Sequence, residues 1–313
     1  MNQPRQWLTG LIMLLAMAFL YGCSDGGDTS SESDSSSNGQ SSQEEMDRDE
    51  ELAKQRESDT WRFALEEVEG SVQDAYAQEF KSRIQERTDG EVKVEVYPYG
   101  TLGTSSQLTE LLQNGAIEIA FASPGHLADA IPEVGIFTLH FVLSESPEVN
   151  RAVLSDPEVY GLFQPLYNEQ DLRLLDIIPE GWMVWSGDKA LRSPEDFEGF
   201  KIRTMTSPIL VESYKAYGAN PTPTPYSEVY SGLQLGQIDG QVNPIFAIEE
   251  MSFYEEQDVL TSARHAQFIS TLATGNNWFN NLSEERQELI MDVRDNMVSW
   301  IDEKQREYNE ERL

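Results

Sequence analysis

Downstream of Trp61, two hydrophobic periods alternate, and this alternation limits the possible folds more than any other feature of the chain. Trp61-Arg-Phe-Ala-Leu65 reads as a short strand. Tyr76, Phe80 and Ile84 then recur at helical spacing, up to a stop at Asp89-Gly90. Val92, Val94 and Val96 alternate with polar neighbours, as a half-buried strand does. Leu108, Leu111 and Leu112 mark a second helix, closed by Asn114-Gly115, and Ile117-Glu-Ile-Ala-Phe121 is apolar enough for a buried parallel strand. The order β-α-β-α-β predicts a parallel sheet covered by helices.

The pattern then restarts. Leu172 to Ile178 reads as a strand, and Ser193-Pro194-Glu195-Asp196 as a helix start. Phe200 to Met205 is a strand, Pro208 to Tyr217 and Ser227 to Ile238 are helices, and Gln241 to Pro244 is a brief strand after the turn Asp239-Gly240. Two α/β halves in succession predict two lobes with a cleft between them, a favoured place for a ligand. Leu289, Ile290, Val293, Met297 and Ile301 trace one long C-terminal helix over 284–312.

The segment before Trp61 has a different character. Arg5 precedes an almost wholly apolar run from Leu8 to Leu20, followed by Leu20-Tyr21-Gly22-Cys23. The run is shorter than the roughly 20 residues of a spanning helix and ends in a small-residue cleavage pattern. Leu-Tyr-Gly-Cys resembles a bacterial lipobox, which implies a signal peptide over 1–23 and lipidation of Cys23, the single cysteine. An uncleaved anchor with an idle cysteine is the alternative. From 24 to 59 the chain is rich in Ser, Asp and Glu and too poor in apolar residues to offset ordering entropy, so it reads as a disordered tether reaching on the order of 30 Å. The expected location is therefore periplasmic, lipid-anchored to a membrane. A formal charge of −33 over 313 residues excludes nucleic acid as a partner, because phosphates need cations opposite them.

The sequence offers little for catalysis. His126, His140 and His265 lie in unrelated contexts, none at metal-ligand spacing, and read as ordinary structural or surface histidines. There is no Gly-x-Ser-x-Gly elbow and no glycine-rich phosphate loop after a strand. Glu66-Glu67 is a carboxylate pair, but a chain with 55 acidic residues has many such pairs. No metal, no cofactor and no enzyme activity are expected.

Gly199-Phe-Lys-Ile-Arg-Thr-Met205 stands out. On a strand, Phe200, Ile202 and Thr204 face one way and Lys201, Arg203 and Met205 the other. A guanidinium in so apolar an element needs an anion, which it grips through two parallel hydrogen bonds. An internal carboxylate and a ligand carboxylate both satisfy that requirement.

From about Trp61 to Tyr308 the chain resembles the substrate-binding proteins of tripartite ATP-independent periplasmic (TRAP) transporters, the DctP family. The likeness lies in an ordered set of segments. These are Val94-Glu-Val-Tyr-Pro-Tyr-Gly-Thr-Leu-Gly103, Leu112-Gln-Asn-Gly-Ala-Ile-Glu-Ile-Ala120, Gly199-Phe-Lys-Ile-Arg-Thr204, Gly218-Ala-Asn-Pro-Thr-Pro-Thr-Pro-Tyr-Ser-Glu-Val-Tyr230, Asp239-Gly-Gln-Val-Asn-Pro244 and Phe253-Tyr-Glu-Glu-Gln257. The resemblance implies an α/β, two-lobed periplasmic binding protein-like fold with a long C-terminal helix, closing over its ligand. Lobe I would cover about 60–179 with a segment returning near 266–282, and lobe II about 180–265. It further implies Arg203 on the substrate carboxylate, Asn243 and Tyr226 against the ligand, and Glu66 and Ser123 on the opposite wall. The implied partners are a small organic acid and the membrane subunits of a sodium-driven TRAP transporter.

Two departures from the family pattern matter. Many relatives carry a second arginine where Gly181-Trp182-Met183 places Met183, between Trp182 and Trp185. The expected ligand is therefore a mono-carboxylate or a zwitterion rather than a dicarboxylate, with its cation near Glu66 or a tryptophan face. Relatives also continue past the long helix by several tens of residues, and a chain ending at Leu313 would lack that stabilising part. A receptor serving a chemoreceptor or sensor kinase, a periplasmic hydrolase using Glu66 or Glu67, and a structural lipoprotein are the competing readings.

Overall fold

The computed structural model describes residues 59–313; the expected signal peptide, Cys23 and nearly all of the expected tether lie outside the described residues. Asp59, where the tether was expected to end, is already fixed. Its carboxylate pairs with Arg286 at 2.6 Å, and its carbonyl accepts from the Lys93 amide at 2.8 Å.

The predicted parallel unit is present. Strands β1 (Thr60–Ala64), β2 (Lys93–Tyr97) and β3 (Ile119–Phe121) pair in parallel, with β1 central. The crossovers are helix α1 (Val72–Arg87) and helix α2 (Ser105–Gln113). Ser71 caps α1 by accepting the Asp74 amide. Phe63 explains why α1 lies where it does. Its ring meets Phe80 edge-on at 5.6 Å and stacks on Phe121 at 5.7 Å, and all three are fully or almost fully buried. A short helix α3 (Pro124–Leu127) follows β3, and α4 (Pro147–Leu154) and α5 (Pro157–Glu169) lead to the long strand β4 (Leu172–Trp182).

Two late segments complete the architecture. β10 (Gln267–Gly275) returns to the first sheet and runs antiparallel between β3 and β4, giving the order β2-β1-β3-β10-β4. Between β4 and β10 the chain builds a second, smaller sheet, in which β5 (Val184–Gly187) lies between antiparallel neighbours β8 (Gly240–Asn243) and β9 (Val259–Thr261). Helices α6 (Pro208–Ala216), α7 (Val229–Gln234) and α8 (Ile245–Glu250) flank this lobe, and α9 (Asn276–Asn281) follows β10.

The expected strand over 200–205 is much shorter than predicted. Only β6 (Arg203–Thr204) forms, paired in parallel with β7 (Thr222–Pro223), while Ile202 bridges to Gly240. Side-chain competition shortens it: the Lys201 amide donates to the Asp239 carboxylate at 2.9 Å instead of to a ladder carbonyl. Gly240 sits so tightly that an added Cβ would come within 2.1 Å of the Ser186 carbonyl oxygen. Gly240→Ala is therefore expected to lower stability by about 1–3 kcal/mol or more, read as a fall in melting temperature.

The C-terminal helix is a second correction. It is two helices, α10 (Glu284–Asp295) and α11 (Val298–Glu311), rather than one. Asn296 breaks it: its side chain donates to the Asp292 carbonyl at 2.7 Å, while Arg83 takes the Asn296 carbonyl at 2.9 Å. The break lets α11 cross β4 and touch both α1 and α8, elements of different lobes.

Candidate functional site

The lobes meet directly. The Ser207 amide, at the start of α6, donates to the Gly125 carbonyl in α3 at 3.0 Å, and a Cβ on Gly125 would collide with the Met205 side chain. Beside this seam lies a narrow pocket. Glu66, Ser123 and His126 line it from the first lobe and Arg203, Tyr226 and Asn243 from the second.

Arg203 forms the cationic wall. It is 1 % exposed, and its Nε and Nη2 both donate to the Thr224 carbonyl, at 3.0 and 2.8 Å. The β6–β7 pairing sets this geometry by bringing Thr224 alongside. Among the described residues no carboxylate lies within ion-pair distance of Arg203, so the choice between internal salt bridge and ligand anchor falls against the salt bridge. Burial lowers its pKa to about 10, which still leaves it charged at neutral pH. A desolvated guanidinium held only by a neutral carbonyl has a strong demand for an anion. The Tyr226 ring lies 5.9 Å from the guanidinium carbon and packs edge-on against Tyr99 of the first lobe at 5.8 Å.

Glu66 forms the anionic wall, in the loop after β1. Its Oε2 accepts the Ser123 amide at 2.7 Å and, at closer range, the Ser123 hydroxyl. Its Oε1 is buried and has no hydrogen-bond partner among the described residues. Burial raises the pKa of Glu66, and the two Ser123 bonds and the nearby Ser105 hydroxyl oppose that rise. Ser123 thus fixes one oxygen of the Glu66 carboxyl.

Asn243 ends β8, and its amide donates to Gln241 Oε1, while Gln241 donates to Ser186 Oγ at 2.8 Å. Its orientation is thus set through the second sheet. The structure brings Arg203, Asn243, Tyr226, Glu66 and Ser123 around one pocket and does not bring Trp182 or Met183 to it. Met183 is buried in the core of the second lobe, and Trp182 is a half-buried end residue of β4. Trp182 ends β4, paired with Gln267 of β10, and Met183 lies between β4 and β5 with its amide donating to the Ala266 carbonyl at 2.9 Å.

Sequence reasoning missed several pocket residues. His126 is one, with its Nδ1 3.5 Å from the Thr206 hydroxyl of the other lobe; burial first, and the Arg203 charge second, lower its pKa to about 3 and keep it neutral. Its place three residues beyond Ser123, past the C-terminal end of a parallel strand, was a usable signal. Ser105, Phe268 and Ala247 also line the pocket and carried no such signal, and Glu67, named in the sequence only as one of a carboxylate pair, lines it too. The other two histidines are packing residues: His140 Nδ1 meets the Tyr217 hydroxyl at 2.7 Å, and His265 stacks on Trp185 at 3.8 Å. Among the described residues no cluster of three metal-ligating side chains exists, and no helix is long and apolar enough to cross a membrane.

Two lobes joined by paired crossing strands, with oppositely charged walls facing a common pocket, define a solute receptor that works by closure. The comparisons agree. The model of the bacterial extracellular solute-binding proteins, family 7 (DctP), matches residues 63–313, and the chain belongs to that family. It is 43% identical over 239 residues to the ectoine-binding periplasmic protein TeaA of Halomonas elongata, covering 76% of this chain and 70% of TeaA. It is 38% identical over 238 residues, with the same coverage, to the ectoine/5-hydroxyectoine-binding periplasmic protein UehA of Ruegeria pomeroyi. Among solved structures, an apo open TRAP periplasmic solute-binding protein from Marinobacter aquaeolei superposes with a TM-score of 0.77 at 47% identity, covering 81% of this chain and 83% of that one. These relatives are periplasmic binding proteins of transporters.

Proposed function

We propose that this receptor takes up a small zwitterion of the ectoine type, a cyclic amidinium carboxylate, and hands it to the membrane subunits of a TRAP transporter without chemically altering it. One observation carries the reading. Among the described residues, a buried guanidinium with no carboxylate partner and a buried carboxylate oxygen with no well-formed hydrogen bond, only the Ser105 hydroxyl standing near that carboxylate, line the same pocket from opposite lobes. A ligand carboxylate on Arg203 and a ligand cation on Glu66 would satisfy both at once, and only when the lobes are together. Such a ligand stabilises the closed form by its differential affinity for it. Met183, where many relatives place a second arginine, lies in the lobe core, which fits a single anionic group on the ligand. Lipidation of Cys23 would tether the receptor at the membrane face where the transporter sits.

Calorimetry of the mature protein tests the ligand class. Ectoine is expected to bind at least tenfold more tightly than succinate or acetate; succinate binding best would overturn the reading. The pH response has a definite sign. Burial raises Glu66 above the usual carboxylate value of 4.5, and a bound cation pulls it back down. The Glu66 contribution to ectoine affinity is therefore complete at neutral pH above the raised pKa and declines by up to tenfold per unit as pH falls below it. Titrations from pH 7.5 to 4.5 check this, and the acid-side decline should vanish in Glu66→Gln.

A further inference from the structure

Glu66 belongs to a larger acidic group that runs into the hinge. Beneath it, Glu67 on the same loop faces Glu180 near the end of β4, and both are at most 5 % exposed. Gln73, in the first turn of α1 and fully buried, connects the three. Its Oε1 accepts the Glu66 amide at 2.9 Å, its own amide donates to Glu67 Oε2 at 3.2 Å, and its Nε2 donates to Glu180 Oε1 at 3.2 Å. Ser270 on β10 donates its hydroxyl to the same Glu180 oxygen. That leaves Glu180 Oε2 buried with no protein donor among the described residues, while the carboxylate of Glu67 lies within hydrogen-bonding reach. Two carboxylates in contact cannot bond to each other unless one carries a proton.

We propose that Glu67, Glu180 and Gln73 are positioning residues, which hold Glu66 in its ligand-facing orientation through a single proton shared between Glu67 and Glu180. The idea rests on the reading of Glu66 as a ligand-binding group. With the proton in place, Gln73 is pinned from both sides and fixes the backbone of Glu66. Without it, two buried negative charges repel across the hinge, Gln73 loses its frame, and Glu66 shifts.

The surroundings favour retention of that proton near neutrality. Around the pair stand Glu66 and Ser71 from the loop, Tyr226 beside the pocket, Glu250 on α8, and Asn309 on α11, whose side chain donates to the Glu180 carbonyl at 2.9 Å. Two cations stand nearby: Arg312, engaged by Glu250 and by the Gly70 carbonyl at 3.0 Å, and Arg203, which shares the pocket with Glu67 and is turned to the Thr224 carbonyl. Burial, first, and mutual repulsion, second, hold Glu67 well above the usual carboxylate range, and burial raises Glu180 too. The sign follows: the protonated pair supports binding at neutral and lower pH, and that support is lost as pH rises through the raised pKa.

Glu180→Gln tests the proposal, because the amide keeps the acceptor for Gln73 and Ser270 and supplies a permanent donor to Glu67. Ectoine affinity by calorimetry and ligand-free melting temperature are measured from pH 6 to 9.5 for wild type, Glu180→Gln and Glu180→Ala. The wild type should lose at least tenfold in affinity and several degrees in melting temperature on the alkaline side. Glu180→Gln should match wild type within about threefold at pH 7 and stay flat in both measurements. Glu180→Ala should bind at least tenfold more weakly at pH 7 while remaining folded. An alkaline loss in Glu180→Gln equal to that of wild type overturns the proposal, as does a wild type that stays flat. If wild type fails to bind ectoine even at pH 7, the proposed ligand fails, and the ligand-free melting comparison decides the shared proton by itself.

Discussion

Arg203→Ala should abolish useful ligand binding while leaving the receptor folded. In the complex the guanidinium is desolvated by both lobes, so a carboxylate held on it makes charge-assisted bonds in a low-dielectric site. Removing one partner of such a buried pair costs about 2–5 kcal/mol, roughly a 30- to several-thousand-fold loss of affinity. Stability should respond differently. The free protein holds a buried cation against a carbonyl, a costly arrangement, and the alanine variant gives up that cost along with the two bonds to Thr224. Its melting temperature without ligand should therefore stay close to that of wild type, while the ligand-induced rise disappears. Arg203→Lys should bind weakly too, because an ammonium cannot reach the Thr224 carbonyl and a ligand carboxylate with the same fork.

Glu66→Gln should have the second largest effect, and it should depend on the ligand. The amide is nearly isosteric and still offers an oxygen to the Ser123 amide and hydroxyl. What it loses is the negative charge opposite the ligand cation. Affinity for a zwitterion should fall by about 2–5 kcal/mol, whereas affinity for a plain mono-carboxylate should change little or improve. Calorimetry with ectoine and with acetate separates the two. An equal loss for both ligands would mean that the variant had damaged the pocket, not removed a charge partner.

The first lobe was more legible in the sequence than the second, for a physical reason. β1, α1, β2, α2 and β3 are local units whose apolar faces repeat at their own periods, and the observed bounds follow those periods closely. In the second lobe, backbone groups bond to side chains and turns, as at Lys201 and Asp239, so a strand-like pattern over 200–205 yields only two ladder residues. The C-terminal helix breaks because Arg83, far away in sequence, takes the carbonyl of Asn296. Within the helix sequence only Asn296, whose side chain takes the Asp292 carbonyl, hints at the break.

The site divides in the same way. Arg203 was visible because a cation in an apolar run is a local anomaly. Glu66, Ser123, Tyr226 and Asn243 were reached through family resemblance, because residues from four separate elements meet only in the folded chain. Trp182 and Met183 were drawn in by their place next to a family motif; Trp182 pairs with Gln267 at the end of β4, and Met183, just beyond that strand, packs into the second-lobe core. Glu180, two residues before Trp182 on the same strand, instead faces Gln73, and nothing in an acid-rich sequence distinguished it.

The most direct test of the account is a crystal structure of the receptor with ectoine bound. The account predicts one ligand carboxylate gripped by Arg203 and the amidinium donating to Glu66 Oε1, with the lobes closed around both. A ligand bound with Arg203 still turned wholly to the Thr224 carbonyl, or with its cation away from Glu66, would contradict it.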